Sequence, residues 1–435
     1  MLRHYGYAVS GQLAQTAISL AGLGAITRIL GPGDYGTFVV LGTILTLLTV
    51  AASAGPSAAV LILAARNAEG RPELHGQIVG ASLILMAIIG AVTPLVAFDA
   101  AKFVSGSLAP SLMALSLIRL PVLIYAGLVS SLLSGAGRIG LVAALNTVAA
   151  ALGLLGAAGA IVADDPLAGA IVGTTAASFA TAALMAVAAS GELGIARPRG
   201  WAPWRTAGAI AVPMHLGTLA YWVMLRADAL AVNALLGPRS AGIYGLALQL
   251  SERVGLLTAP LYNATAWRIS GSDRQEGLKT TLRVARLEFG VGVAAALLAL
   301  IFGRLGVTLI GGEAYAEAAV PLAILVLGAA TLPVWSAIGL FLVSHHHGAW
   351  PTTAVQIVVA LLAVAGYWTF GSQVGVLGPA LVSTGAYLTL AGVGVWMIRR
   401  RHAFAPRELL LGRSDLEALG TAIRKVRAYF RATPH

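Results

Sequence analysis

The sequence predicts an all-α, polytopic membrane protein with about 12 transmembrane helices in two pseudo-symmetric six-helix lobes. Three observations lead to this fold class: the composition, the spacing of long apolar runs and an internal repeat. Hydrophobic residues make up 58% of the 435-residue chain and charged residues only 10%, against about 45–50% and about 25% in soluble domains. A water-soluble fold of this length could not bury so much apolar surface.

Apolar runs long enough to cross a hydrocarbon core of about 30 Å occur throughout the chain. In the first half they cover residues 10–30, 36–65, 77–98, 107–134, 139–163 and 167–190. In the second half they cover residues 206–236, 241–268, 284–310, 317–343, 351–370 and 374–398. The joints between them are mostly short, which leaves no room for an extramembrane domain.

A short motif occurs twice in the chain. Leu-Gly-Pro, with a second glycine four residues after the proline, occupies residues 30–36 and returns 206 positions later at 236–242. Leu-Pro-Val at 120–122 likewise returns 212 positions later at 332–334. Each copy lies at an equivalent place among the apolar runs. This pattern predicts a duplicated helical bundle, an arrangement typical of transporters.

The distribution of charge predicts the orientation in the membrane. Lys and Arg residues cluster in alternate joints and end in the run Arg399-Arg400-Arg401, whereas the other joints carry Asp34, Asp99 and Asp164-Asp165. Because cationic loops stay on the cytoplasmic side, both termini are predicted to be cytoplasmic, which requires an even number of spans. The net charge of +11 is therefore explained by topology, and nucleic acid is not expected as a partner.

We predict three regions: an N-terminal lobe over 1–198, a C-terminal lobe over 199–398 and a cytoplasmic basic tail over 399–435. In the tail, Ser414 and Glu417 have the spacing of a capping box. An apolar stripe then follows at helical intervals, made by Leu416, Leu419, Ile423, Val426 and Phe430. This pattern predicts an amphipathic helix on the anionic inner leaflet. Docking of a cytoplasmic enzyme is the alternative.

Several charged side chains fall inside the predicted spans. At mid-bilayer each costs about 2.5–3.5 kcal/mol on insertion scales, so each is a candidate for function. Arg119 lies near the centre of the fourth span, Glu252 and Arg253 lie near the centre of the eighth, and Arg226 and Asp228 lie in the seventh. At the outer ends of the first and ninth spans, Arg28 and Arg304 can reach the interface by snorkelling.

Helical geometry limits how these charges can pair. Arg226 and Asp228 are two residues apart, about 200° around a helix, so they need partners on other helices. One interpretation is a closed salt bridge, either Asp228 with Arg253 or Glu252 with Arg226. The other is a water-filled cavity whose surplus of arginines holds an anionic ligand. Arginine suits bidentate contact with phosphate, so such a cavity would favour a phosphate or pyrophosphate.

Other patterns argue against catalysis and cofactors. No phosphate-binding G-x-x-x-x-G-K-[ST] motif is present, so the chain is not expected to hydrolyse ATP. There is no cysteine, and the tract His345-His346-His347 has no carboxylate nearby in sequence, so no metal site is predicted. The outer joints are too short to house a catalytic pair, which disfavours a polysaccharide polymerase or ligase. We expect neither an enzyme nor a bound cofactor.

The repeated motif also carries a resemblance. Residues 27–36 look like the R-x-L-G-P-x-x-Y-G signature of the polysaccharide transporter family, the Wzx-type oligosaccharide flippases of the multidrug/oligosaccharidyl-lipid/polysaccharide flippase superfamily. Arg226-Ala227-Asp228, followed by 236–238 and 242–247, resembles the opening of the C-terminal half of those proteins. The resemblance covers nearly the whole chain, although its motifs mark the superfamily better than one substrate.

The resemblance implies two lobes related by a pseudo-twofold axis along the membrane normal, around a cationic cavity. It further implies alternating-access transfer of an undecaprenyl-pyrophosphate-linked oligosaccharide across the bacterial inner membrane, for surface polysaccharide biosynthesis. The candidate substrate-binding residues are Arg28, Arg119, Arg226, Asp228, Glu252 and Arg253. A membrane potential or an ion gradient would drive transfer. Membrane lipids, a polysaccharide polymerase and glycosyltransferases are the expected partners. The main alternative is a cation-coupled multidrug extruder.

Overall fold

The computed structural model describes residues 2–197, 202–346, 349–402 and 412, and this part of the chain is helical without a β-strand. The first half contains α1 (Leu2–Arg66), α2 (Arg71–Val104), α3 (Pro110–Gly135), α4 (Ile139–Ala157), α5 (Gly159–Val162) and α6 (Pro166–Leu193). The second half contains α7 (Ala202–Ser251), α8 (Arg253–Gly271), α9 (Arg274–Gly311), a 3₁₀ helix (Glu313–Ala318), α10 (Ala319–Ala329), α11 (Leu332–His346), α12 (Ala349–Val374) and α13 (Leu377–Arg399). The amphipathic helix predicted in the tail lies outside the described residues.

Two of the helices are each two helices joined at a kink. Within the described residues, 10 segments are long and apolar enough to cross a membrane. The backbone leaves the helical conformation at Gly31 in α1 and at Gly237 in α7. Dividing these two segments at their kinks adds two crossings to the 10, which gives the predicted twelve. The chain is a multi-pass, all-α membrane protein with two lobes.

The repeated Leu-Gly-Pro motif forms these kinks. Gly31 has φ 64° and ψ 174°, and Gly237 has φ 83° and ψ 173°. This backbone region is open almost only to glycine, because a Cβ would clash with the neighbouring peptide. Pro32 and Pro238 follow, and their fixed φ favours the first turn of the next helix. The motif is therefore a helix-to-helix connection that the chain uses twice.

The two lobes meet along α1 and α7, which form the most extensive contact between any two helices. Where these helices cross, a methyl group on Gly36 would overlap the carbonyl oxygen of Pro238. A methyl group on Gly242 would overlap the carbonyl oxygen of Pro32 in the same way. The second glycine of each motif thus packs against the proline carbonyl of the other copy. This reciprocity is what a pseudo-twofold axis between the lobes requires.

The outer surface of the bundle is apolar. Large side chains on α2 and α9 are well exposed, among them Leu83, Leu95, Leu300 and Ile301. Contiguous apolar surface of this kind is rare on soluble monomers. In a bilayer the same side chains contact lipid, and the helices satisfy their own backbone hydrogen bonds. The polar side chains between the helices are therefore the exceptions that require an explanation.

Candidate functional site

The C-terminal lobe encloses a cavity of about 330 Å³. Its ionisable lining side chains come from α7, α8, α9, α13 and the residue between α7 and α8: Tyr221, Arg226, Glu252, Tyr262, Glu288 and Tyr387. A second cavity of about 260 Å³ shares Tyr221, Tyr262 and Ser336 with it, so the two adjoin. Together they form a partly open volume whose lining is mainly apolar and includes these polar side chains.

Arg226 and Glu252 form an ion pair in the wall of the larger cavity. Arg226 Nη1 lies 2.8 Å from Glu252 Oε1, and Nη2 donates a hydrogen bond to Oε2 at 3.0 Å. The indole of Trp222 lies 5.4 Å from the guanidinium carbon, within the range of a cation–π contact. Of the two salt bridges considered from the sequence, the structure forms the one between Glu252 and Arg226. The charge of Arg226 is therefore compensated here.

A break in the helix lies beside this ion pair. α7 ends at Ser251 and α8 begins at Arg253, so Glu252 occupies the junction. The predicted eighth span, 241–268, is therefore interrupted at Glu252 by a single turn residue, whose backbone angles remain helical (φ −65°, ψ −19°). The Nε of Arg253 is buried and has no hydrogen-bond partner within the described residues. Glu252 and Arg253 thus lie at a point where the backbone changes its hydrogen bonding.

Asp228 is fully buried and is held by hydroxyl groups. Tyr244 Oη donates to Asp228 Oδ2 at 2.6 Å, and Ser383 Oγ donates to the same oxygen at 2.9 Å. Tyr367 Oη lies 3.0 Å from Ser383 Oγ and extends the network to α12. Within the described part of the chain, no arginine lies within ion-pair distance of Asp228. This network ties α7 to α12 and α13.

Arg119 lies between α3 and α6 in the N-terminal lobe. Its Nε donates to Ser178 Oγ and its Nη1 donates to Thr174 Oγ1, both at 3.3 Å. No carboxylate of the described residues forms an ion pair with it. By the offset of 212, the second repeat has Thr331 in this position. Arg119 is therefore a partly buried cation with neutral partners and no counterpart in the other lobe.

Arg28 contacts the end of another helix. Its Nε donates to the carbonyl of Ile310 at 3.1 Å, and its Nη2 donates to the carbonyl of Leu309. These carbonyls belong to the last turn of α9, where unpaired acceptors and the helix dipole favour a cation. The structure thus brings Arg226, Glu252 and Arg253 together, and places Arg28, Arg119 and Asp228 each among other partners.

The structure adds one residue that was not a candidate from the sequence. Glu288, on α9, is fully buried, lines the larger cavity and has no hydrogen-bond partner for either carboxylate oxygen within the described residues. It is the fifth residue of the predicted ninth span, where an acid can be assigned to the membrane surface. α9 begins ten residues before that span, at Arg274. The sequence feature that could have identified Glu288 was an acidic residue within an apolar run.

Solved transporter structures share this fold. The chain matches the inward-facing conformation of a multidrug resistance MATE family transporter of the MOP superfamily with a TM-score of 0.71 and 14% identity, over 91% of this chain and 98% of that one. For the outward-facing conformation of a MATE family transporter, the TM-score is 0.61 and the identity 16%, over 92% and 94%. MATE in complex with MaD5 gives 0.64 and 16%, over 92% and 94%. The shared fold defines the chain as a polytopic, all-helical membrane protein.

A family model refines this class. The model described as polysaccharide biosynthesis protein matches residues 1–266, which is more than half of the chain. The chain belongs to this family. The resemblance drawn from the repeated motif to polysaccharide transporters of this superfamily is thereby confirmed. Comparison with curated protein sequences finds no significant match.

Proposed function

We propose that this protein transfers an undecaprenyl-pyrophosphate-linked oligosaccharide across the bacterial inner membrane by alternating access. Membership of the polysaccharide biosynthesis family and a fold shared with transporters support this proposal. Both termini would lie in the cytoplasm, and a polysaccharide polymerase and glycosyltransferases would act on the same lipid-linked sugar. The observation that favours an anionic substrate is the environment of Arg119.

The guanidinium of Arg119 carries a charge that no described carboxylate compensates. Ser178 and Thr174 are neutral, so they satisfy two N–H groups but leave the positive charge in place. A guanidinium has five N–H donors, and three remain for another acceptor. Pyrophosphate oxygens match this fork and would supply the missing negative charge. An uncompensated cation between apolar helices therefore favours an anionic ligand.

The other candidates have different parts in this proposal. Arg253 would add a second cation for the pyrophosphate, and Arg226 would become available only when its pair with Glu252 opens. Asp228 would keep α7 fixed to α12 and α13 through its hydroxyl partners. Arg28 would hold the end of α9 against α1. The substrate's phosphates would thus contact the arginines, while its lipid tail remained in the membrane.

One observation favours the alternative, extrusion of organic cations. The cavity of the C-terminal lobe combines Glu288 and Glu252 with Tyr221, Tyr262 and Trp222. Aromatic rings and carboxylates attract organic cations, and the similar structures include multidrug transporters. Resistance to cationic dyes, measured in cells that express the protein, separates this function from the proposed one.

Complementation of a flippase-deficient strain tests the proposal. We expect Arg119→Ala to abolish surface polysaccharide while the protein is still produced and inserted, because the substrate loses its unpaired cation. Arg138→Ala is the matched control: Arg138 is in the same lobe, and its side chain is 54% exposed and paired with Glu192. Arg226→Ala and Arg253→Ala are expected to fail as well. Normal surface polysaccharide in the Arg119→Ala strain would contradict the assignment.

A further inference from the structure

We propose that Glu288 is a proton-binding site and that Arg226 responds to its ionisation at the junction of α7 and α8. The proposal concerns how transport is coupled, and it rests on the transport function proposed above. It starts from a geometric observation: a fully buried carboxyl faces an internal cavity, and neither of its oxygens has a hydrogen-bond partner within the described residues.

A carboxylate without a partner cannot stay ionised in such a place at low cost. Burying an unpaired charge costs so much that the group binds a proton instead. In the protonated form Glu288 is neutral, which fits its surroundings. A sodium ion would need several oxygen ligands around the carboxylate, and no described polar atom lies within hydrogen-bond reach of it. The geometry therefore favours a proton over a metal cation.

Among the described residues that line the cavity with Glu288, one side chain is a cation. The cavity wall includes three tyrosines and the ion pair between Arg226 and Glu252, and α10 and α11 add no ionisable side chain to it. The tyrosines are Tyr221 on α7, Tyr262 on α8 and Tyr387 on α13. Arg286, on α9 itself, points about 200° away around the helix. Arg226 is thus the only cationic side chain among those that line the cavity.

Loss of the proton from Glu288 places a second negative charge in the wall that holds Arg226. That charge competes with Glu252 for the guanidinium across the same cavity. Because Glu252 lies between the last residue of α7 and the first residue of α8, weakening its ion pair releases the junction. Protonation restores the pair. The carboxyl exchanges only a proton with water, so no further reactant is needed.

Infrared spectroscopy of the purified full-length protein tests the proton site directly. A protonated carboxyl has a C=O stretch that an ionised one lacks. We expect Glu288→Gln to remove one such band at neutral pH, because Gln keeps the shape of the neutral acid without the proton. Glu276→Gln is the matched control on α9, since Glu276 is exposed. An unchanged carboxyl band in Glu288→Gln would overturn the proposal. Loss of the wild-type band on adding sodium at constant pH would overturn it too, because the site would then bind sodium.

Spin labels test the response of the helices. The chain has no cysteine, so Ser190→Cys at the end of α6 and Ser270→Cys at the end of α8 place two labels on exposed sites of different lobes. With the wild-type Glu288 we expect the distance distribution to change with pH. With Glu288→Gln we expect the acid-pH distribution at every pH. A pH-dependent distribution in Glu288→Gln would refute the coupling. Neither measurement uses a glycan, so both outcomes are independent of the proposed substrate.

Discussion

The two lobes of the protein differ in the acidic residues between their helices. In the N-terminal lobe Arg119 rests on two neutral hydroxyls, and the acidic residues lie at helix ends, as Asp34 and Asp99 do. In the C-terminal lobe three acids lie inside the bundle: Asp228, Glu252 and Glu288. The duplicated frame has therefore diverged in its polar interior.

The lobes remain alike where they touch. The kinks at Gly31 and Gly237 have nearly the same backbone angles, and Gly36 and Gly242 contact the proline carbonyls of the opposite lobe in the same way. A side chain at either glycine would overlap a backbone carbonyl of the other lobe, whereas Arg119 and Glu288 are enclosed within their own lobes. The lobe interface is thus constrained by backbone geometry, whereas the interior of each lobe can carry different charges.

The largest expected effect is at the lobe interface. We predict that Gly36→Ala and Gly242→Ala each lower the free energy of unfolding by about 3 kcal/mol, the upper end of typical overpacking costs. The new methyl group would meet a backbone carbonyl that cannot turn away. Thermal melting in detergent, followed by fluorescence or light scattering, measures the effect through the change in Tm.

Gly42→Ala is the control for this pair of substitutions. Gly42 lies on the same helix, and a methyl group there meets no atom within 4 Å. Alanine at this position should stabilise the helix by up to about 1 kcal/mol. If Gly36→Ala and Gly242→Ala differed strongly from each other, the symmetry of the interface would be disproved.

The second prediction compares one ion pair from each lobe. The side chains of Arg226 and Glu252 are 18% and 32% exposed, whereas those of Arg138 and Glu192 are 54% and 38% exposed. Glu252→Ala should cost about 2 kcal/mol, between the values for buried and surface pairs, and Glu192→Ala less than about 0.5 kcal/mol. The buried arginine is left without its partner, while the exposed one is solvated.

Melting of the single and double variants measures these costs. Arg226→Ala combined with Glu252→Ala should be more stable than Glu252→Ala alone, because no unpaired charge remains. Equal losses for Glu252→Ala and Glu192→Ala would mean that water reaches both pairs equally, and the proposed enclosure of the cavity would then be wrong.

Much of the fold could be predicted from the sequence because the bilayer imposes simple rules. Apolar length predicted the twelve crossings, and the repeated Leu-Gly-Pro motif predicted the duplicated frame. The contact of Gly36 with Pro238 could not be predicted, since a repeat indicates similar lobes but not which atoms meet. The reason for each motif glycine emerged only from the backbone angles and from the crossing of α1 and α7.

The site was less predictable because its partners are far apart in the chain. Helical spacing showed that Arg226 and Asp228 need separate partners, but it left open whether Glu252 would pair with Arg226. The hydroxyl partner of Asp228 on α13, Ser383, lies 155 residues away. The break at Glu252 has no glycine or proline to mark it. Hydropathy alone did not show how deeply Glu288 is enclosed.

The smallest expected effect concerns a histidine pair at one end of the C-terminal lobe. His346 Nε2 and His402 Nε2 lie 2.9 Å apart, so one neutral ring donates to the other. Burial, together with the charges of Arg274 and Arg401, lowers the pKa of His402 below its ordinary value. The contact therefore contributes stability above the ordinary histidine pKa of about 6.5 and loses it as the pH falls through the lowered pKa.

A pH series of melting temperatures checks this prediction. The wild-type protein should lose slightly more stability on acidification than His402→Gln, which cannot take up the proton. The buried histidine of the N-terminal lobe, His75, is not part of such a pair. Its Nδ1 lies 2.9 Å from the carbonyl oxygen of Gly194. The same acid sensitivity in wild type and His402→Gln would show that the pair does not titrate.

The crossing of Gly36 and Gly242 has the form of an isologous interface. In a symmetric homodimer, residue i of one subunit contacts residue j of the other, and j contacts i. Here Gly36 contacts Pro238 while Gly242 contacts Pro32, within a single chain. One polypeptide thus contains at its axis the reciprocal contact of a two-subunit interface. Away from that axis each half has been free to specialise, as two identical subunits encoded by one gene could never do.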